Sequence, residues 1–189
     1  MENNSLSLKQ QLLDMFVEYA YQEGDFTLSS GQKSNFYLNS KQVTLRAQGA
    51  LAVGKLIHEM LADDAQAVAG LTLGADPMVS AVSVVSAYEN NPIPALIIRK
   101  EAKDHGTKAY IEGPSLPQGA IVTVLEDVVT TGQSAMLAVE RLTDAGYKVD
   151  KIISLVDRQA GGAEFYHSQG LQFESIFTIS DIQARHKEK

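Results

Sequence analysis

The chain has 189 residues, 44% of them hydrophobic and 21% charged, which suits one domain with a sizeable core. A formal charge of −7 and an isoelectric point near 5.1 exclude broad nucleic-acid binding, where a basic surface supplies most of the affinity. There is no cysteine, so disulfides and thiolate-held metals are excluded, and a reducing compartment fits.

No run approaches about 18 uninterrupted apolar residues, so no membrane span is expected. The opening MENNSLSLKQ has neither the basic nor the apolar region of a signal peptide, and the simplest expectation is a cytoplasmic protein. Leu8, Leu12, Leu13, Phe16, Tyr19 and Ala20 recur at helical spacing and predict an amphipathic helix over 5–21. GDFTLSSGQKSNFYLNSKQVTL (24–45), rich in Ser, Gly and Asn, reads as loop or short hairpin, and a second helix is predicted over 46–61. From there the pattern changes to short aliphatic runs that alternate with helical stretches. Strands are predicted at 66–74, 94–100, 120–127, 148–158 and 171–179, and helices at 77–89 and 133–145, before a charged tail. No internal repeat interrupts this order.

Continuous aliphatic strands between helices indicate a mostly parallel sheet of about five strands, covered on both faces. Ligands of such sheets bind outside the carboxyl ends of the strands. Four polar segments fall there together: TLGADP (72–77), Arg99-Lys100, EDVVTTGQSA (126–135) and Asp157-Arg158. Four of the sixteen Lys and Arg residues lie within 99–108, so an acidic protein concentrates positive charge in one window, as a small anionic ligand requires.

IVTVLEDVVTTGQSA (121–135) carries the most chemistry. Backbone N–H groups of Thr131, Gly132, Gln133 and Ser134 can form a concave nest for a phosphate, backed by the positive end of the following helix. Thr130, Thr131 and Ser134 add hydroxyls. The loop lacks the Lys and the spacing of a nucleoside-triphosphate loop. Glu126 and Asp127 would repel a phosphate directly; they suit ribose hydroxyls, or Mg²⁺ already carried by phosphates and reached through water.

Four hydrophobic residues, two acidic ones and a Thr/Gly/Ser loop closely resemble the phosphoribosyl pyrophosphate signature of type I phosphoribosyltransferases. FTLSSGQKSNFYLNSKQVTL (26–45), IIRKEAKDHGTKAYIEG (97–113) and SLVDRQAGG (154–162) extend the likeness, over nearly the whole chain, to the orotate phosphoribosyltransferase family. The resemblance implies a type I α/β fold, with residues 1–45 contributing a small hood and 46–180 the core. It implies a homodimer with shared active sites and Mg²⁺ without a direct protein ligand, and neither a nucleic acid nor a membrane as partner. Val128, Val129 and the 130–134 loop would hold the 5′-phosphate, and Glu126 and Asp127 the ribose. Arg99, Lys100, Lys103 and His105 would meet the phosphates, with Arg99, Lys103 and His105 reaching the neighbouring subunit. Segment 101–111 would be the family's mobile catalytic loop. Thr130 and Arg158 would contact orotate, and SNFYL, with Tyr37 and Leu38, would pack on its ring. Lys100, Lys103, His105 and Asp127 would carry the catalysis.

Chemistry read from the residues agrees with these roles. A multiply charged leaving group calls for several cations, and Arg158 can fork onto a planar carboxylate where Lys100 and Lys103 act as point charges. Two departures from the family remove positive charge: Ser29 and Gly74 stand where some members have lysine, and Lys33 or Lys41 is available to compensate. A strained peptide of the type I enzymes is expected near Thr72-Leu73. The remaining histidines, His58, His167 and His186, have no metal-site spacing. Two rivals are a purine phosphoribosyltransferase, disfavoured by DRQAGG, and a non-catalytic nucleic-acid-binding sensor, disfavoured by the charge.

Overall fold

In the computed structural model, which describes residues 2–27, 33–102 and 110–189, the amphipathic N-terminal stretch forms α1 (Glu2–Met15). It continues into one π-helical turn, Phe16–Ala20, that buries Phe16, Val17 and Ala20. Strands β1 (Tyr21–Thr27) and β2 (Lys33–Leu38) then pair antiparallel, with Tyr21 opposite Leu38 and Phe26 opposite Ser34. The segment expected to be loop or hairpin is therefore a ribbon, followed by a single helical turn, α2 (Lys41–Thr44). Helix α3 (Ala47–Met60) leads to β3 (Ala67–Leu71), α4 (Asp76–Tyr88), β4 (Ala95–Ile98) and the two-residue β5 (Ile111–Glu112). The chain ends with β6 (Val122–Val129), α5 (Gln133–Asp144), β7 (Lys151–Asp157), α6 (Gly162–Ser168), β8 (Gln172–Thr178) and α7 (Ile179–Lys187).

The aliphatic runs form one six-stranded sheet in the order β5-β4-β3-β6-β7-β8, parallel except for β5. Alternation along each strand feeds two cores. Val68, Leu125 and Ile153 face Leu12, Phe16, Ile57 and Met78 of the helices on one side. Ala69, Val124 and Ile152 face Ala135, Leu142 and Tyr166 on the other. Residues of α1 thus share a core with the central sheet.

Three elements depart from the sequence reading. A sixth, antiparallel strand closes one edge; two residues are too few for a periodic signal. Residues 162–168 form α6, too short to read. The charged tail is helical: Thr178 and Asp181 make a capping box, and Arg185 Nε lies 2.8 Å from Asp14 Oδ1, tying α7 to α1. Ile179 and Ile182 supply its buried face.

Strand β4 lies on one side of β3 and β6 on the other, so the order reverses between β3 and β6, the place where open α/β sheets bind ligands. The crossing is tight, because a Cβ at Gly70 would meet Ala75 and the Leu125 carbonyl.

Helices α3 and α4 also meet closely. A Cβ on Gly54 would lie 2.8 Å from both the Ala81 carbonyl oxygen and Val85 Cγ2. Gly54→Ala gains up to about 1 kcal/mol of helix propensity, whereas overpacking costs about 1–3 kcal/mol. The steric loss should win. Urea unfolding should show a lower midpoint for Gly54→Ala, and an unchanged or higher midpoint would contradict this close packing.

Candidate active site

Strand β6 carries a buried hydrophobic run to the switch point and ends in two carboxyl groups. Glu126 is 9% exposed, and its Oε2 is buried with no protein partner among the described residues. Burial first, and the neighbouring Asp127 second, push its pKa up to about 8, while Lys100 and Lys41 pull it down. At neutral pH Glu126 is thus mostly protonated, which lessens the repulsion that an anion at the adjoining 130–134 loop would meet.

Asp127 is held from the N-terminal segment. Ser40 Oγ donates a hydrogen bond to its Oδ2, and Lys41 Nζ stands 3.8 Å from the same oxygen. Across the switch point, a Cβ at Gly74 would run into the Asp127 carboxylate, so no side chain fits there in this arrangement. The Thr72-Leu73 peptide, where an unusual bond was expected, is cis. Thr72 Oγ1 donates to Asp76 Oδ2 at 2.8 Å, closing this loop onto the first turn of α4.

Beyond Val129 the chain turns through Thr130 and Thr131 to Gly132, whose φ of 87° favours glycine. A Cβ there would also lie 2.8 Å from the Tyr166 ring. Helix α5 starts at Gln133, so its first N–H groups lack partners within the helix. Glu126, residues 128–134 and Tyr166 line an open hollow of about 90 Å³ at this turn. Glu126 pairs in register with Ser154 of β7. The Tyr166 hydroxyl and Ser154 Oγ are, like Glu126 Oε2, buried with no protein partner among the described residues. Burial, Glu126 and Asp157 all raise the tyrosine pKa.

The neighbouring strand supplies the other half of the cleft. Arg158 follows β7, and its N–H donates to the Val129 carbonyl at 2.9 Å, fixing it beside the 130–134 loop. Its guanidinium lies 4.5 Å from the Phe36 ring centroid and donates to Ser34 Oγ at 3.3 Å. Partial burial lowers its pKa. Asp157 is not its partner: that carboxylate accepts the Gln159 N–H at 2.8 Å. Among the described residues no carboxylate pairs with Arg158, whose cation lies beside an aromatic face.

No family model matches the sequence. The orotate phosphoribosyltransferase of a Nostoc species is 70% identical over 182 residues, covering 96% of this chain and 88% of its own. The chain belongs to the orotate phosphoribosyltransferase family. Among solved structures, Mycobacterium tuberculosis orotate phosphoribosyltransferase in complex with Fe(III) dicitrate matches with a TM-score of 0.82 at 35% identity, covering 93% of this chain and 98% of that one. The same enzyme in complex with 5-phospho-α-D-ribosyl 1-diphosphate matches at 0.78 and 33%, covering 93% and 99%. The α/β architecture is that of the type I phosphoribosyltransferases.

Against the family pattern, the structure brings Glu126, Val128, Val129, Thr130, Thr131, Gly132, Gln133 and Ser134 into one pocket wall with Arg158 beside it, while the Asp127 carboxylate meets Ser40, Lys41 and Gly74. Lys100 is exposed yet near enough to act on Glu126. Arg99 turns to Glu112, 3.4 Å away. Tyr37 packs on Phe26 at 5.6 Å and is 43% exposed, on the face of β2 opposite Phe36, so the ring beside Arg158 is Phe36. Leu38 sits half-buried at the end of β2. Lys103, His105 and Ser29 lie outside the described residues, as does most of segment 101–111. Of the two compensating lysines, Lys41 reaches the acidic pair, while Lys33 lines a separate hollow with Asp25 and Phe26. Sequence reasoning missed Ser40 and Tyr166. Neither has a motif, and each matters through a contact distant in the chain.

Glu126 makes stability depend on pH. Its folded pKa is raised, so its contribution is full below the ordinary carboxylate range and is lost as pH climbs towards 8. The loss reaches up to about 1.4 kcal/mol per pH unit. Glu126→Gln should flatten the fall in unfolding free energy between about pH 5 and about pH 8, measured by urea titration. An unchanged slope would contradict a protonated Glu126.

Proposed function

We propose that this chain transfers the phosphoribosyl group of phosphoribosyl pyrophosphate to N1 of orotate, giving orotidine 5′-monophosphate and pyrophosphate in pyrimidine biosynthesis. One juxtaposition carries the reading: the phosphate nest after β6 and the Arg158–Phe36 platform after β7 are joined by the Arg158 N–H to Val129 carbonyl bond. A donor in the nest and a planar anion on the platform would share one cleft.

Residues 130–134 would cradle the 5′-phosphate with N–H groups and hydroxyls. Asp127 would leave Ser40 and Lys41 to accept ribose hydroxyls, and Lys41 would then be free beside the donor. As the C1′–O bond breaks, the ribose gains positive charge, which Asp127 favours, and Lys100 meets charge growing on the pyrophosphate. Arg158 would fork onto the orotate carboxylate while Phe36 and the backbone of 34–38 border its ring. Mg²⁺, a hard cation that keeps several waters, would neutralise the pyrophosphate; the oxygens of Asp127 suit reaching it through water. Positioning and electrostatics then supply the catalysis, with no covalent nucleophile.

The reading includes a homodimer with shared sites, in which Arg99, Lys103 and His105 act on the partner's donor. Exposed Leu45, Leu51 and Val84 of the α3–α4 face, which abuts the Thr72–Pro77 loop, support it. No helix among the described residues is long and apolar enough to cross a membrane, and the reading places the enzyme in the cytoplasm.

Arg158→Ala tests the acceptor side. Loss of a charge-assisted pair should raise the KM for orotate on the order of tenfold to a hundredfold and leave that for phosphoribosyl pyrophosphate nearly unchanged. Equal increases would remove Arg158 as the base contact. For the shared site, Lys103→Ala and Asp127→Ala, each inactive alone, should regain activity when mixed and allowed to exchange subunits. A mixture that stays inactive after exchange would contradict the cross-subunit role of Lys103.

A further inference from the structure

Arg141 lies near the end of α5, the helix whose first turn forms the phosphate nest. Its Nη2 donates to the Lys100 carbonyl at 2.6 Å, the short distance of a charge-assisted hydrogen bond. Its guanidinium also covers the Tyr110 ring, 4.1 Å from the centroid. Lys100 follows β4 and Tyr110 precedes β5; the Arg99 N–H joins them by donating to the Tyr110 carbonyl at 2.8 Å. One guanidinium therefore touches both chain segments at the point where the cationic stretch leaves the sheet. Among the described residues its Nη1 is buried with no protein partner, and the Lys100 carbonyl and the Tyr110 ring are the contacts that hold the side chain.

We infer that Arg141 is a positioning residue that sets where the Lys100 ammonium stands relative to the donor site. The inference rests on the orotate phosphoribosyltransferase reading only for the identity of the donor. The hydrogen bond is to the carbonyl of Lys100 itself, so its loss frees the peptide from which that side chain projects. Lys100 acts on Glu126 across the cleft, which places its ammonium within electrostatic reach of the acidic pair. Helix α5 thereby couples two parts of the site, its N-terminus holding a phosphate and its last turns holding the lysine that meets the leaving group. The choice of residue follows from the two contacts. Arg presents a planar fork that donates to a carbonyl while stacking on a ring, which a lysine ammonium cannot do.

A double-mutant cycle distinguishes this role from simple stitching of the fold. Arg141→Leu should lower kcat/KM about tenfold, the loss of one charge-assisted hydrogen bond. In a Lys100→Ala background it should add less than about twofold, because the group it positions is gone. Arg141→Lys, which keeps a donor and loses the stack, should fall between the two, and it replaces Arg141→Leu in the cycle if that variant does not fold. The cycle is read in orotate turnover and in calorimetric affinity for phosphoribosyl pyrophosphate with Mg²⁺. Equal losses with and without Lys100 would overturn the inference. Coupling in donor affinity from a parent that does not turn over orotate would uphold Arg141 and sink the orotate reading instead.

Discussion

The structure turns on how a parallel sheet tolerates two adjacent carboxyl groups at the end of its central strand. Two bare charges there would repel each other and any anion at the loop that follows. The surroundings divide the pair into unlike members. Glu126, packed among Val128, Val129 and Tyr166, takes up a proton because burial penalises its charged form. Asp127, at the mouth, accepts a hydrogen bond from Ser40 and lies 3.8 Å from Lys41, against the bare backbone of Gly74. A protonated Glu126 and a partnered Asp127 lessen the repulsion that an anion at residues 130–134 would meet.

The same division explains why distant segments converge on the site. Ser40 lies 87 residues from Asp127, and Ser34 lies 124 residues from Arg158. Both contacts come from the ribbon and turn that follow α1, which are anchored through the core shared by Phe16, Val17 and the sheet. The N-terminal segment therefore supplies the groups that occupy Asp127 and the ring that borders Arg158. Gly74 fits this arrangement as well. Lys41 stands against the Asp127 carboxylate that a Cβ at Gly74 would strike.

Much of this was legible in the sequence because local patterns dictate it. The run of VTVL into Glu126-Asp127, the small-residue loop and Arg158 at the next strand end lie together in the structure, as sheet topology requires. Other parts depended on contacts that no local pattern encodes. Phe36 and Tyr37 are consecutive on a strand and must face opposite ways, yet nothing in SNFYL says which of them meets Arg158. Arg141 resembles any solvent-facing helix residue until Lys100 and Tyr110 are brought beneath it. Tyr166 lies in a helix too short to show periodicity, and the C-terminal charges hid a helix whose ion pair with Asp14 is made with the other end of the chain.

The central claim is that the donor nest and the Arg158 platform serve one transfer to an acidic pyrimidine. The most direct measurement is the loss of orotate's near-ultraviolet absorbance with the purified protein, phosphoribosyl pyrophosphate and Mg²⁺, beside parallel reactions with hypoxanthine, adenine and uracil. Turnover of orotate alone is the predicted result. Turnover of a purine base, or donor binding with no turnover of any base, would contradict it.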